Sequence, residues 1–377
     1  MDGSFRIGRI FGIPILIHYS FILVIPLFAW IIGSQILLTT EMLHGTFSIP
    51  IDTSLITEGI MPWILGTVVA LGLFGGVLIH ELAHSVVARS KGIKINSITL
   101  MIFGGIASME EGVPDPKAEL PMALVGPVAS LVIGLVCVGI AYAVPAVIQN
   151  PPIAGVVIFV FGYLGVLNII LFAFNLLPAF PMDGGRVLRA WLAERMPLHR
   201  ATKIAADIGK GFAIVFGLIG LFFFSPFLIL IALFIYIGAS MESAAVKYSY
   251  LLHDVTVGDM MSSPVTTVPP NLPVSQVITM MYSSKHLGFP VVERDMLIGM
   301  VTLADVNRTT SIDREAMLVR DIMTRDPITL PPTAPVIDAL KIMSARDFGR
   351  IPVVLDGKIL GIVTRTDIIK VTELKQI

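Results

Sequence analysis

Long apolar stretches alternate with short polar ones through the first 250 residues, and this pattern predicts about six membrane-spanning helices. A helix crosses the hydrocarbon core of a bilayer with about 20 consecutive apolar residues, and the apolar runs have that length. The predicted spans cover residues 14–38, 62–88, 119–146, 154–177, 203–223 and 226–246. Only the turn Ser225-Pro226 separates the last two, so these could also form one broken hairpin.

A different pattern begins after residue 250, where short strand-like and helix-like segments alternate with dense turn signals. Residues 257–309 match residues 319–371 at a constant offset of 62. The most extended match pairs Gly299-Met300-Val301-Thr302-x-x-Asp305 with Gly361-Ile362-Val363-Thr364-x-x-Asp367. Repetition at fixed spacing over a whole unit indicates a duplicated domain. We therefore predict a membrane domain over residues 1–250, a first soluble repeat over 251–311 and a second over 312–377.

Composition supports a membrane protein. Hydrophobic residues make up 55% of the 377-residue chain and charged residues 14%, whereas soluble domains carry roughly a quarter charged residues. The net charge of −1 offers no case for nucleic-acid binding. The loop 39–61 has no Lys or Arg, while the basic residues lie in the segments that would face the opposite side. By the positive-inside rule, both termini and the repeats are expected in the cytoplasm of a multi-pass cell-membrane protein.

The second predicted span ends in Leu78-Ile79-His80-Glu81-Leu82-Ala83-His84-Ser85. On a helix, two residues four apart lie on one face. Two such histidines with a glutamate after the first are typical of zinc hydrolases. Ionisable groups in lipid are costly and indicate a functional site. The alternative is a helix end at the membrane surface with solvated histidines, since Arg89 and Lys91 follow closely.

A catalytic zinc needs three protein ligands and one open position, and Asp183 is the best candidate for the third. Pro178 and Pro181 break the preceding helix, and Gly184-Gly185 lets the backbone turn and approach closely. The alternative is a solvated loop in which Asp183 only caps the next helix.

The pairing of His80-Glu81-x-x-His84 with Asn175-x-x-Pro-x-x-Pro-Met-Asp183-Gly resembles the site-2 protease family of intramembrane zinc metalloproteases. The resemblance covers nearly the whole chain and is to the branch with a C-terminal pair of cystathionine-β-synthase (CBS) domains. It implies His80, His84 and Asp183 as ligands of one zinc ion and Glu81 as the catalytic base. Met182 stands where the family usually has Leu, and Gly126-Pro127 matches a family signature.

The resemblance also implies a role for Asn175, which would hold the substrate carbonyl or the oxyanion. A neutral amide donor suits a developing oxyanion. The alternative for Asn175 is a hydrogen bond between helices or with Asn168, seven positions earlier. Between the second and third spans, Ile95 to Met109 alternates like short strands around Gly104-Gly105. The family places a membrane-associated sheet there, whose edge could pair with an unfolded peptide.

In a CBS pair, the Thr and Asp of the repeated motif hold the phosphate and ribose of an adenine nucleotide. The resemblance therefore implies ATP or AMP binding at Thr302, Asp305, Thr364 and Asp367. Arg350 and Arg365 in the second repeat are suited to phosphate, and the first repeat lacks a basic residue at both equivalent positions. The alternative is a purely structural module, and CBS pairs also favour homodimers.

The predicted fold is a polytopic α-helical membrane domain with a small membrane-associated β segment, followed by a soluble α+β tandem CBS module. The predicted function is zinc-dependent cleavage of a single-span membrane protein near the cytoplasmic side, modulated by adenine nucleotide. A CBS-gated transporter or channel and an inactive membrane scaffold are the alternatives. Substrate and membrane lipid are the expected partners, with no nucleic acid.

Overall fold

The computed structural model describes residues 3–102, 104–109, 116–310 and 313–374. The chain divides into two compact units, Met1–Ala244 and Ala245–Ile377. The division falls inside a long helix, a few residues before the domain boundary placed at residue 250 on sequence grounds. Each unit is described below by itself.

The first unit is built mainly from helices, and several of the longest have apolar residues around most of their circumference, as expected of helices in lipid. Their bounds are α1 (Ser20–Ser34), α2 (Ile36–Phe47), α3 (Met61–Ser90), α4 (Pro116–Val147), α5 (Pro151–Asn175), α6 (Asp183–Ala193), α7 (Leu198–Phe222) and α8 (Pro226–Leu252). Five of them, α3, α4, α5, α7 and α8, are long and apolar enough to cross a membrane. The bent pair α1 and α2 would make a sixth span. The prediction of about six spans is confirmed at that level, and α7 and α8 are separate helices.

The first predicted span, residues 14–38, is wrong in its bounds. Ile13–His18 is a strand, α1 begins only at Ser20, and the helix bends by 69° after Gln35 before α2 begins. Residues 13–17 of this strand are all apolar. A short apolar run has no periodicity that separates a strand from a buried helix.

The strands of the first unit form one four-stranded sheet in the order β1-β2-β3-β4. Their bounds are β1 (Ser4–Ile10), β2 (Ile13–His18), β3 (Ile95–Met101) and β4 (Gly104–Met109). Strand β2 pairs parallel to β3, with Ile15 opposite Ile98, while the two hairpins are antiparallel. The β segment predicted at Ile95 to Met109 is confirmed. Strands β1 and β2 enlarge it, and β4 is left as an edge strand.

The second unit contains the two sequence repeats. Its elements are α9 (Val257–Met260), α10 (Val274–Ser284), β5 (Gly288–Glu293), β6 (Met296–Thr302), α11 (Leu303–Asn307), α12 (Asp313–Ala316), α13 (Val319–Ile322), β7 (Thr324–Arg325), α14 (Val336–Arg346), β8 (Arg350–Leu355), β9 (Lys358–Thr364) and α15 (Arg365–Leu374). Each repeat thus places a helix before an antiparallel strand pair and another helix after it.

Each repeat completes the hydrophobic core of the other. Val257 of α9 opens the first repeat but is buried in a core with Val336 and Ile351 of the second. Val319 of α13 is buried among first-repeat residues that include Val277. A backbone hydrogen bond also joins the two repeats, since the Val257 N–H of the first donates to the Ala334 carbonyl of the second at 2.8 Å. The two repeats therefore share their cores.

Candidate active site

Helix α3 brings the two histidines of the motif together. His80 and His84 are 5% and 6% exposed, and their Nε2 atoms lie 3.1 Å apart. The side chains meet because positions four apart on a helix lie one above the other. The helical context that the zinc-hydrolase motif requires is therefore present.

An irregular segment between the end of α5 and the start of α6 places Asp183 beside the histidines. Helix α5 ends at Asn175, the following residues form turns, and α6 begins at Asp183. Asp183 Oδ2 lies 3.1 Å from His80 Nε2 and 3.1 Å from His84 Nε2. Gly184 has no room for a side chain, since a Cβ there would overlap the Leu177 carbonyl. This close approach explains why glycine follows the aspartate.

Helix α4 supports both histidines from behind. His80 Nδ1 lies 2.9 Å from Ser130 Oγ, and His84 Nδ1 donates to the Met122 carbonyl at 2.6 Å. A Cβ at Gly126 would overlap the His84 imidazole, so glycine provides the space for this ring. Outer contacts of this kind fix the orientation and tautomer of histidines that bind metals.

The three inner atoms fit a zinc ion. The Met122 carbonyl can only accept a hydrogen bond, so the proton of neutral His84 is on Nδ1 and Nε2 presents a lone pair to Asp183 Oδ2. Such lone pairs repel one another unless a cation lies among them. A tetrahedral zinc with nitrogen and oxygen ligands at about 2.0–2.1 Å holds these atoms about 3.3 Å apart, close to the observed 3.1 Å. Three protein ligands leave a fourth position for water.

Asp183 presents one carboxylate oxygen to both Nε2 atoms, and its side chain is 12% exposed. Among the described residues, no other group of three or more His, Cys, Asp or Glu side chains converges in this way.

Glu81 lies beside the histidines and against the sheet. A Cβ at Gly105 of the edge strand β4 would overlap Cγ of Glu81, so the glutamate stem packs directly on this strand. The sequence indicated a strand around Gly104-Gly105 but not that it contacts the glutamate. That contact arises because β4, paired with β3 in the sheet, lies alongside α3.

The structure does not join Asn175 to the three-residue cluster by any hydrogen bond among the described residues. Its amide nitrogen donates to the Leu171 carbonyl at 3.0 Å, and that of Asn168 donates to the Leu164 carbonyl at 2.8 Å. Each asparagine thus bonds to its own helix. The alternative of an Asn168–Asn175 hydrogen bond is not seen among these contacts either.

In the second unit, the repeated Thr-x-x-Asp motifs each begin a helix. Thr302 Oγ1 donates to Asp305 Oδ2 at 2.7 Å and caps α11, and Thr364 Oγ1 donates to Asp367 Oδ2 at 2.7 Å before α15. These are reciprocal capping interactions that satisfy free N–H groups of a first helical turn. The motif residues therefore have a structural role in each repeat, which follows from the helix that begins directly after each Thr.

The two arginines expected near phosphate are held by protein groups. Arg350 Nη1 donates to the Gly288 carbonyl at 2.9 Å, and Gly288 is its equivalent in the first repeat. Burial lowers the pKa of Arg350. Arg365 donates to the Met343 carbonyl at 2.9 Å and to Asp347 at 3.1 Å. Because a guanidinium carries five N–H donors, each arginine can donate to a phosphate through its other nitrogens while these contacts persist.

Comparison with known proteins agrees with the geometry. The protein-family model for Peptidase family M50 matches residues 68–152 and 144–216 of this chain. The family model for the CBS domain matches residues 257–310 and 319–373. A protein of Methanocaldococcus jannaschii named zinc metalloprotease is 33% identical to this chain over 379 residues, covering 100% of this chain and 99% of that protein. The chain belongs to peptidase family M50, the site-2 proteases.

Further relatives resemble this M50 peptidase over its length. Rip3 of Mycobacterium tuberculosis, named as a candidate zinc metalloprotease, is 31% identical and covers 99% of this chain and 94% of its own. Among solved structures, a site-2 protease from Methanocaldococcus jannaschii has 38% identity and a TM-score of 0.44, covering 64% of this chain and 95% of that one. The predicted family, fold class and enzyme class are confirmed. The chain is an integral membrane zinc metalloprotease of this family with a tandem CBS module.

Proposed function

We propose that this M50 peptidase cleaves a single-span membrane protein at a peptide bond near the cytoplasmic side, with one zinc ion held by His80, His84 and Asp183. The observation that carries the proposal is the convergence of these three side chains, with mutual distances of 3.1 Å, at a helix long enough to span a membrane. Zinc, when bound, lowers the pKa of its water and polarises the substrate carbonyl.

The residues around the metal supply the remaining chemistry. Glu81 follows His80 directly and is the proposed base, which takes the proton of the attacking water and passes it to the leaving amine. Ser130 and Met122 hold the imidazoles in place. Asn175 is the proposed donor to the carbonyl or oxyanion, through the second N–H of the amide whose first N–H donates to the Leu171 carbonyl.

The edge strand β4 is the proposed binding surface for the substrate backbone. It belongs to a four-stranded sheet, pairs with β3 on one side, and packs against Glu81 through Gly105. A helical substrate hides its amide groups and must unwind before hydrolysis. An extended segment that pairs with β4 would present its amide groups beside the proposed base.

The cytoplasmic placement of the site and of the CBS module rests on the distribution of charge. The segment 39–61, which contains the end of α2 and the connection to α3, has no Lys or Arg, whereas Arg89 and Lys91 follow the histidine motif. His80 and His84 lie toward the C-terminal end of α3, close to these basic residues. The substrate would then be cut toward its cytoplasmic end.

The CBS module is the proposed sensor of an adenine nucleotide, ATP or AMP, with Thr302, Asp305, Thr364 and Asp367 as contacts for ribose and phosphate. Support comes from the match of both repeats to the CBS family and from the repeated motif. Arg350 and Arg365 are proposed phosphate contacts, through guanidinium nitrogens other than those that bind Gly288 and Met343. A homodimer through this module is also proposed.

A transporter or channel and an inactive scaffold account less well for the site. A permeation pathway needs polar groups along a route, but it does not need two imidazoles and a carboxylate aimed at one point. A scaffold does not need the buried contacts that orient both imidazoles.

The test measures zinc and cleavage together in the full chain, purified in detergent with candidate single-span substrates. Glu81→Gln keeps the side-chain size and should retain one zinc per chain, while cleavage falls by 10²–10⁴ or more because the base is lost. Asp183→Ala should lose zinc because a ligand is removed. Wild-type turnover by Glu81→Gln, or full zinc content in Asp183→Ala, would contradict the assigned roles.

A further inference from the structure

A buried ion pair, with a third and partly exposed carboxylate beside it, lies next to the segment that carries Asp183. Arg189 of α6 donates through Nε to both carboxylate oxygens of Glu119, at 2.9 and 3.2 Å, and through Nη2 to Glu119 as well. Its Nη1 donates to Glu242 of α8 at 2.7 Å. Glu119 and Arg189 are 2% and 3% exposed.

Stability alone is a weak explanation for the cluster. Taking charges out of water is costly, and well-packed hydrophobic residues of similar volume often stabilise a protein as much or more. The best-attested use of buried charges is to select one relative placement of the elements that carry them. The elements joined here are α4, α6 and α8.

One face of α4 contacts the environment of all three proposed ligands. Glu119, Met122, Gly126 and Ser130 are spaced by three, four and four residues, which places them on a single helical face. Met122 and Gly126 contact His84, and Ser130 contacts His80. Glu119 binds the helix that begins with Asp183. The Glu119–Arg189 pair therefore joins the aspartate helix to the same surface that orients the histidines.

A second contact connects Arg189 to the segment that leads into Asp183. The guanidinium carbon lies 4.8 Å from the centre of the Phe180 ring, and Phe180 is 1% exposed three residues before Asp183. A cation over an aromatic face attracts it. Arg189 thus contacts the segment before Asp183 as well as anchoring the helix after it.

We propose that Arg189 and Glu119 are positioning residues for the metal site, which set α6 against α4 so that Asp183 meets the two histidines. Glu242 completes the arrangement from α8. The inference rests on the proposed zinc ligands, and it predicts that breaking the ion pair weakens metal binding without touching any ligand. Loss of an outer-shell partner typically costs 10–100-fold in metal affinity.

The test measures zinc affinity by competition with a chromophoric chelator, and the visible absorption of the cobalt-substituted protein, using the full chain in detergent. Glu119→Gln removes one charge, and Arg189→Lys keeps the charge but loses the planar fork of donors. Both should weaken zinc binding 10–100-fold and alter the cobalt spectrum. Glu242→Gln should have a smaller effect, since this side chain is one-third exposed. The control is Lys210→Met, in the more exposed pair with Asp207 on α7, which should match wild type.

A double variant separates positioning from stability. Glu119→Leu with Arg189→Met replaces the pair by apolar side chains, and it should unfold thermally no earlier than either single variant while still binding zinc weakly. The inference would be overturned if the double variant and Glu242→Gln both bound zinc within threefold of wild type and both kept the wild-type cobalt spectrum. A wild-type protein that binds no zinc would instead refute the proposed function, so the two failures are distinguishable.

Discussion

At the scale of single residues, the proposed metal site depends on side chains that hold other side chains. His80 and His84 each use Nε2 toward Asp183 and Nδ1 toward α4. The α4 partners are a fully buried serine hydroxyl and a backbone carbonyl. Because the carbonyl survives any substitution of Met122, Ser130 is the contact that mutation can remove.

Ser130→Ala should lower zinc affinity by about tenfold or more, because His80 loses the partner that orients its ring. The unpaired Nδ1 should also reduce the free energy of unfolding by about 1–3 kcal/mol. Ser85→Ala is the matched control, since Ser85 is equally buried on α3 and its hydroxyl has no hydrogen-bond partner among the described residues. Zinc titration and thermal unfolding of both variants would check this. Equal zinc affinities would contradict the role of Ser130.

At the scale of elements, α4 is shaped to receive the histidine helix. Glycine at position 126 lets the two helices approach closely enough for the His84 ring to lie against the α4 backbone. The same approach brings the Met122 carbonyl within 2.6 Å of His84 Nδ1. Small residues commonly permit this close packing between membrane helices.

Gly126→Ala should displace His84 and reduce both zinc affinity and cleavage at least tenfold, because the added methyl group would occupy the space of the imidazole. Gly139→Ala on the same helix is the control, since nothing lies within 4 Å of a Cβ at that position. It should leave zinc affinity unchanged and gain slightly in helix propensity. If both variants bind zinc as wild type does, the close contact has no functional consequence.

At the scale of the whole molecule, the chain combines a membrane unit that contains the proposed metal site with a unit of two repeats that share their cores. Helix α8 runs from Pro226 to Leu252 and spans the division between Ala244 and Ala245. Two predictions belong to this scale, the orientation of the chain in the membrane and the response to nucleotide.

Single cysteines should report the orientation when introduced into a Cys137→Ser background, since Cys137 is the only cysteine. Glu58→Cys, in the segment 39–61, should react with a membrane-impermeant thiol reagent added outside intact cells. Glu194→Cys, in the segment 184–200, should react only after the membrane is opened. The reverse labelling would overturn the proposed cytoplasmic location of the active site.

ATP or AMP should bind the CBS module and change the cleavage rate without changing zinc content. A nucleotide that binds two conformations with about tenfold different affinity supplies about 1.4 kcal/mol of coupling, which modulates activity but does not switch it off. Asp305→Ala with Asp367→Ala should weaken nucleotide binding in calorimetry and leave basal cleavage near normal. Asp259→Ala, which removes the same kind of helix cap at Thr256, is the control for lost capping.

The nucleotide prediction has a clear negative result. Calorimetry without adenine-nucleotide binding at millimolar concentration would leave dimerisation or structure as the role of the module. Equal loss of binding in the Asp259 control would assign the effect to helix capping rather than to direct contact.

Element boundaries show where sequence patterns stop being informative. The spans other than the first, and the strands around Gly104-Gly105, were predicted close to their observed places, because long apolar runs and glycine-centred turns are local signals. Strands β1 and β2 were missed. Strand β2 lies within an apolar run continuous with α1, and its parallel partner β3 is about 80 residues away.

The sequence by itself determined the features that depend on local spacing. Histidines four apart must share a helical face, and a 62-residue repeat must be a duplicated fold. Even Asp183 could be chosen from its prolines and glycines, because these dictate an irregular approach at membrane depth. The tertiary structure alone decided which groups support those residues: Ser130 behind His80, Glu119 on Arg189, and the Gly288 carbonyl on Arg350. Each of these contacts joins residues 50 or more positions apart. No local pattern encodes such pairs, because the packing of distant helices and strands determines them.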